Sequence, residues 1–188
     1  RYLAFFELKF HAIQAMKFLF IYYQKMESIS LDAIDVQLLN LLQADATQNN
    51  QVLAAQVNVS PPTCLRRVKR LHDAGLIERQ VAILQPDRLA AVQGHGLACI
   101  VEVSLDRQGA EHLDAFEARA VADADVQQCW RVSPGPDFVL VVHTRDMPGY
   151  LALSQRLFTG DANVRNIKAF FATRRAKFDT KVPVALIP

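Results

Sequence analysis

The stretch from Ser60 to Gly75 carries a full set of helix punctuation and constrains the fold more than any other part of the chain. Ser60 is placed as an N-cap, Pro61 falls in the first turn, where a missing N–H costs nothing, and Gly75 lies just past the end. At about 100° per residue, Cys64, Leu65, Val68 and Leu71 share one side of this helix, and Thr63, Arg66, Arg67 and Arg70 share the other. One face is built for a core and the other is cationic. Two upstream segments supply that core. Asp32 is placed to cap a helix whose Ile34, Leu38, Leu41 and Leu42 form one stripe, ending near Asp45. Asn49 or Asn50 caps a shorter helix with Leu53, Ala54 and Val57 inward, and Asn58 suits the left-handed residue that ends it. The prediction is a three-helix unit in which a short helix and a tight turn precede a basic last helix, the arrangement of a helix-turn-helix.

Charge supports this reading locally, not globally. The chain is 188 residues long with a formal charge of +2, but residues 1–25 hold Arg1, Lys9, Lys17 and Lys25 against Glu7, which leaves the remainder at −1. From Met26 to Gln85 there are five basic and six acidic residues, yet Ser60 to Gly75 holds four basic residues and only Asp73. The first 25 residues also hold eight of the sixteen aromatics, with no signal-peptide cleavage pattern and with Glu7, Lys9, His11 and Lys17 interrupting any membrane span. Met26 is a natural start, so residues 1–28 are expected to be a non-native or unstructured leader.

Downstream, Ile77 to Leu84 reads as an extended hinge strand and Gln85-Pro86-Asp87-Arg88 as a break, giving a first domain over 29–85 and a linker over 86–96. The odd positions Leu97, Cys99, Val101, Val103 and Leu105 predict a strand with one buried face. Gly109 to Ala122 has helical spacing in Leu113, Phe116 and Val121. Strands over Val126 to Val132 and Phe138 to Thr144 flank Ser133-Pro134-Gly135-Pro136, which is turn composition and predicts a hairpin. Asp146 and Pro148 begin a helix with Tyr150, Leu151, Ser154, Leu157 and Phe158 along one side, and Gly160 ends it. A last strand runs from about Val164 to Thr173. The second domain, 97–178, is thus β-α-β-β-α-β with an antiparallel sheet and two helices on one face, and 179–188 is a tail. The whole is α+β: a three-helix winged helix-turn-helix domain followed by a ferredoxin-like domain.

Catalysis finds little support. No nucleophile elbow, phosphate loop, paired-carboxylate motif or HExxH pair occurs, and Cys64, Cys99 and Cys129 lack metal-ligand spacing and read as buried thiols in a reducing cytosol. No cofactor or metal is expected. His72 is placed on the buried side of its helix, His143 in a core strand and His95 between two glycines, each structural. Trp130 and the Phe170-Phe171 pair read as core or subunit-interface residues. Guanidinium groups grip phosphates or read guanine bidentately, and helix N-termini suit phosphate. Ser60, Thr63, Arg66, Arg67, Lys69 and Arg70 are therefore the candidate contacts to double-stranded DNA.

Val59-Ser60-Pro61-Pro62-Thr63-Cys64-Leu65-Arg66-Arg67-Val68-Lys69-Arg70-Leu71, with Gly75-Leu76-Ile77 after it and Leu31-Asp32 and Asp35 before it, resembles the Lrp/AsnC (feast/famine) transcriptional regulators. The resemblance spans about residues 29 to 178. It implies a cytoplasmic regulator without membrane association, in which the second domain is an ACT-like effector-binding module called RAM whose sheets pair into dimers that assemble into octamers on palindromic operators. It further implies an effector, an amino acid or related metabolite, bound between dimers at the turn joining the second and third strands, here Ser133, Gly135, Pro136, Asp137 and Phe138. Where family members often have Gly and an aromatic before the Asp, this chain has Pro134 and Pro136, which stiffen the turn and remove donors. The alternative on the same two-domain plan is an enzyme resembling the sirohaem decarboxylases, with His143 and Arg145 as its nearest candidates.

Overall fold

The structure is a computed structural model that describes residues 30–94 and 96–186; the leader predicted over 1–28 and His95 lie outside them. The chain forms two units. Among the described residues, one comprises 30–82 together with 177–186, and the other runs over 83–176.

The first unit holds α1 (Ala33–Ala44), α2 (Asn50–Gln56) and α3 (Pro61–Asp73). Each begins where a local signal starts it. The Asp32 carboxylate accepts the Asp35 N–H while the Asp35 carboxylate accepts the Asp32 N–H, a reciprocal capping box. The Asn49 side chain accepts the Val52 N–H at the start of α2. Asn58, at φ 55°, ends that helix in the left-handed region, and Gly75, at φ 71°, does the same for α3. Leu38, Leu39, Leu53, Ala54, Val57, Cys64 and Leu71 close the core.

Two residues of α3 depart from the expected face. Leu65 is 60% exposed and His72 is also exposed, because the buried stripe runs Cys64, Val68, Leu71 at i, i+4 and i+7. Leu65 and His72 each follow a stripe residue by one position and so sit a quarter-turn off it. The segment predicted as a hinge strand forms no strand: Leu76 and Ile77 pack on the core, but Val81, Ile83 and Leu84 are exposed. The tail is not separate either. Val184 packs on the first unit's core, and Asn40 and Gln43 of α1 hydrogen-bond to the backbone of Val184 and Val182.

The second unit opens with α4 (Pro86–Gln93), where the sequence predicted only a linker. This helix has a proline start but no apolar stripe, since Leu89 and Val92 are both exposed. Then come β1 (Leu97–Leu105), α5 (Ala110–Ala122), β2 (Val126–Arg131), β3 (Phe138–Thr144), α6 (Met147–Ser154) running into a π-helical turn (Gln155–Thr159), and β4 (Val164–Phe171). The sheet order is β2-β3-β1-β4 with every pairing antiparallel. Cys99, Val101, Val103 and Leu105 of β1 and Phe138, Leu140 and Val142 of β3 point into a core shared with Phe116, Ala120, Tyr150, Leu153, Leu157 and Phe158. Val121 and Leu151, expected inward, are 67% and 60% exposed. In α5 the buried stripe is Leu113, Phe116, Ala120 and in the α6 segment Tyr150, Leu153, Leu157, so both use i, i+3, i+7 and the residue beside the stripe turns to solvent.

The opposite face of the sheet mixes exposed apolar side chains with charged ones. Ile100 lies directly across from Phe170, and Trp130 from Val139. Ile100, Phe170 and Trp130 are exposed, which removes the reading of Trp130 and Phe170 as core residues. Phe171, one residue on, points the other way and meets Tyr150 edge-on at 4.9 Å. Glu102 and Lys168, also cross-strand neighbours, form an ion pair on this open face at 3.7 Å. Phe116 and Phe138 stack in a tilted pair at 4.8 Å in the core below. Phe116→Ala is expected to cost about 3–5 kcal/mol, read by urea unfolding as a lower midpoint with unchanged slope.

Candidate nucleic-acid interface

The basic helix is organised by an acidic residue on another helix. Asp35, in the first turn of α1, is fully buried at 0% exposure. A carboxylate taken out of water is tolerated only if its oxygens are fully engaged. Its Oδ1 accepts Arg67 Nη1 at 2.9 Å, and its Oδ2 accepts Arg70 Nη2 at 2.5 Å and the Asp32 N–H at 3.1 Å. Arg67 Nη1 also donates to Asp32 Oδ2 at 2.7 Å, and Arg70 Nη1 to the Ser30 carbonyl at 3.4 Å. Four charged groups, two of each sign, are thus closed into one cluster joining α1 to α3.

The cluster redistributes the predicted contact set. Arg67 borders the apolar stripe of α3, and its side chain is only 22% exposed. Arg66, on the side away from that stripe, has no ion-pair partner among the described residues and lines an open cleft with Ser30, Asp32, Asp35, Arg67 and Arg70. Lys69 is exposed and pairs along the helix with Asp73 at 3.0 Å. Ser60 stands at the N-cap of α3, yet its hydroxyl pairs with the Thr63 hydroxyl at 2.9 Å and caps no backbone N–H. Pro61 and Pro62 carry no N–H and the Cys64 N–H bonds the Ser60 carbonyl at 3.0 Å, so the Thr63 N–H is the one first-turn donor that Ser60 leaves uncapped. Sequence reasoning missed the Asp32 and Asp35 partners, although their i, i+3 spacing in a first turn is the visible mark of a capping box.

The capping N–H of Asp35, followed by the Arg67 guanidinium, holds the Asp32 carboxyl below its ordinary 3.8, and the two carboxylates in turn raise Arg67. A depressed carboxyl contributes stability above its unfolded value and loses it as pH falls through the folded one.

The second predicted site is the turn between β2 and β3. The Val132 N–H bonds the Asp137 carbonyl at 3.0 Å, the Asp137 N–H bonds the Val103 carbonyl at 2.9 Å, and Asp137 Oδ2 accepts the Leu105 N–H at 2.6 Å. Asp137 therefore clips the hairpin to β1. Ser133 and Gly135 are exposed, Gly135 at φ 128° in a conformation closed to side chains, and Pro136 is half-buried. Phe138 is fully buried against Phe116 and belongs to the core, as strand alternation from Leu140 requires. His143, the nearest catalytic candidate, is half-buried, and a Cβ at Gly96 would meet its imidazole at 2.9 Å. Arg145 is exposed. Among the described residues no cluster of metal-ligating side chains occurs, and no helix is long and apolar enough to cross a membrane.

A helix-turn-helix with a pinned cationic helix, joined to a four-stranded antiparallel βαββαβ unit, defines the class of winged helix-turn-helix transcriptional regulators that carry a separate ligand-binding domain. Residues 31–78 match the family described as winged helix-turn-helix DNA-binding, and residues 98–182 the Lrp/AsnC ligand binding domain. An HTH-type transcriptional regulator of Haemophilus influenzae is 34% identical over 81% of this chain and 89% of its own. The AsnC family transcriptional regulator of Agrobacterium tumefaciens superposes with a TM-score of 0.72 at 27% identity, covering 81% of this chain and 97% of that one. A transcriptional regulator of Neisseria meningitidis, solved in complex with L-Met, gives 0.69 at 28% identity over 82% and 97%. The chain belongs to the Lrp/AsnC family of DNA-binding transcriptional regulators.

Removing the shared acceptor leaves two guanidiniums to rehydrate from partly exposed positions, so Asp35→Ala should destabilise the helical unit by roughly 2–3 kcal/mol, below the range for a wholly buried pair. Chemical denaturation checks this. The Asp32 contribution should be complete above the ordinary carboxylate range and fade below pH 3.8. In Asp32→Asn, the acid limb of a stability–pH curve should be shallower than in the parent.

Proposed function

We propose that this chain is a cytoplasmic, homo-oligomeric, sequence-specific regulator whose affinity for a palindromic operator responds to an amino acid. The observation that carries the reading is the division of labour among the arginines of α3. Arg67 and Arg70 neutralise Asp32 and Asp35 and fix the helix about its own axis, which leaves Arg66 outward without an ion-pair partner among the described residues. Ser60 and Thr63 stand at the helix N-terminus, where their hydroxyls and the Thr63 N–H suit a phosphate or base edge, and Lys69, paired with Asp73, lies exposed on the same side. In a dimer, two such helices enter major grooves about 34 Å apart, one turn of the duplex.

The exposed apolar side chains Ile100, Trp130 and Phe170 on the open face of the sheet support pairing between copies. Assembly of those dimers into an octamer places the β2–β3 turn at a dimer boundary, with Ser133, Gly135, Pro136 and the second oxygen of Asp137 as the effector-facing groups. The L-Met complex of the Neisseria meningitidis relative supports an amino acid as the class of effector. The relatives' standing as transcriptional regulators favours this reading over an enzyme on the same plan.

Selection of bound fragments from genomic DNA, repeated with a panel of amino acids, should return an imperfect palindrome whose enrichment changes with at least one of them; random fragments would defeat the proposal. Arg66→Ala should weaken binding to the selected duplex and reduce the slope of log affinity against log salt by about 1. Arg67→Ala, by contrast, should lower the midpoint of unfolding. A salt slope untouched by Arg66→Ala would remove this residue from the interface.

A further inference from the structure

The hydrogen bonds that seat the C-terminal segment on α1 have a regular register. Gln43 uses both ends of its carboxamide on one residue: Nε2 donates to the Val182 carbonyl at 3.1 Å, and Oε1 accepts the Val182 N–H at 2.7 Å. Asn40, one turn earlier on α1, donates Nδ2 to the Val184 carbonyl at 3.3 Å. Contacts two residues apart are the period of an extended strand. Pro183 falls between them, where its missing N–H leaves no donor unsatisfied and its ring holds the backbone extended. Val184 packs against the core of the helical unit. Recognition through backbone groups plus one apolar side chain is how an extended peptide is held at a sheet edge, here performed by two side-chain amides on a helix.

We infer that the outer edge of α1 is a docking surface for an extended peptide, that its occupant is this chain's own Val182-Pro183-Val184 segment, and that the docked segment is a second tether between the two units. The chain leaves the helical unit after Ala82 and rejoins it at Lys177, so the sheet unit is connected to it at both of its ends, the second connection depending on the non-covalent docking of the tail. A helical unit attached at one point keeps the orientational freedom of its linker. Attached at two points it loses part of that freedom before it meets DNA, and presenting two recognition helices together then costs less entropy. The tether begins at the end of β4, so a change in the sheet unit reaches α1 along the backbone.

Docking itself is independent of any DNA reading; the tether's effect on operator binding rests on the function proposed above. Amide exchange on the intact protein without DNA separates them. The Val182 N–H should be protected, and Gln43→Ala should lower that protection about tenfold or more. An unprotected Val182 in the parent, or protection unchanged in the variant, overturns docking. With fragments selected from genomic DNA, Gln43→Ala should weaken binding to the two-half-site duplex by about threefold to tenfold and leave a single half-site duplex unaffected. Equal loss on both duplexes, or loss on neither, overturns the tether. Failure of the parent to select any DNA overturns the DNA-binding reading and the tether's role with it, while exchange still decides docking. Mixed isotope-labelled chains carrying Gln43→Cys and Val182→Cys should give disulfide-linked peptides of a single isotope; mixed pairs would assign the surface to a second copy and overturn the choice of occupant.

Discussion

The carboxylate of Asp35 is the interaction on which the rest of the helical unit depends. A helix packed only through Cys64, Val68 and Leu71 is held by contacts that are non-directional, and these tolerate rotation about its axis. Hydrogen bonds from two guanidiniums to one immobile acceptor do not. Because Asp35 also closes the capping box of α1, the group that receives Arg67 and Arg70 is itself fixed by the helix start. Register passes from the end of one helix to the axial rotation of another. Such a buried cluster is weak as a source of net stability and strong as a source of orientation. The helix that must present chosen side chains outward is the one held this way.

Local physics was readable from the residues alone. The starts of α1, α2 and α3, the left-handed Asn58 and Gly75, and the inward alternation of β1 and β3 are each specified by residues within a turn or a strand of one another. The misses share a cause, which is that each depends on a partner distant in sequence. The arginines look like a solvated face until α1 brings Asp32 and Asp35 beside them. Leu65 and Val121 look inward until the actual contact stripe is known. Helix α4 has no apolar periodicity to reveal it, and the tail declares its place only through Asn40 and Gln43. Phe138 was assigned to the turn because it follows Asp137 in sequence, although the pleat of β3 turns it into the core.

The second unit shows how a short clip sets a sheet. Asp137 bonds β1 through both its backbone N–H and its carboxylate, so the β2–β3 hairpin is fastened to the central strand at its turn end. Elsewhere in the unit, Arg156 bridges Asp123 and Asp125 while Arg119 pairs with Asp161, tying the helices to the loops beside them. The turn residues Ser133 and Gly135 are left exposed above strands fastened in this way.

One ion pair on the open sheet face has a consequence for the company the protein keeps. Glu102 and Lys168 face each other across β1 and the edge strand β4, next to the Ile100 and Phe170 pair. Any surface laid over that face must either answer both charges or strip them of water without recompense. An apolar surface of matching shape is therefore turned away, and a charged one is accepted only in the orientation that sets acid against base. The pair thus adds a demand of charge and direction to a face that would otherwise select by shape alone.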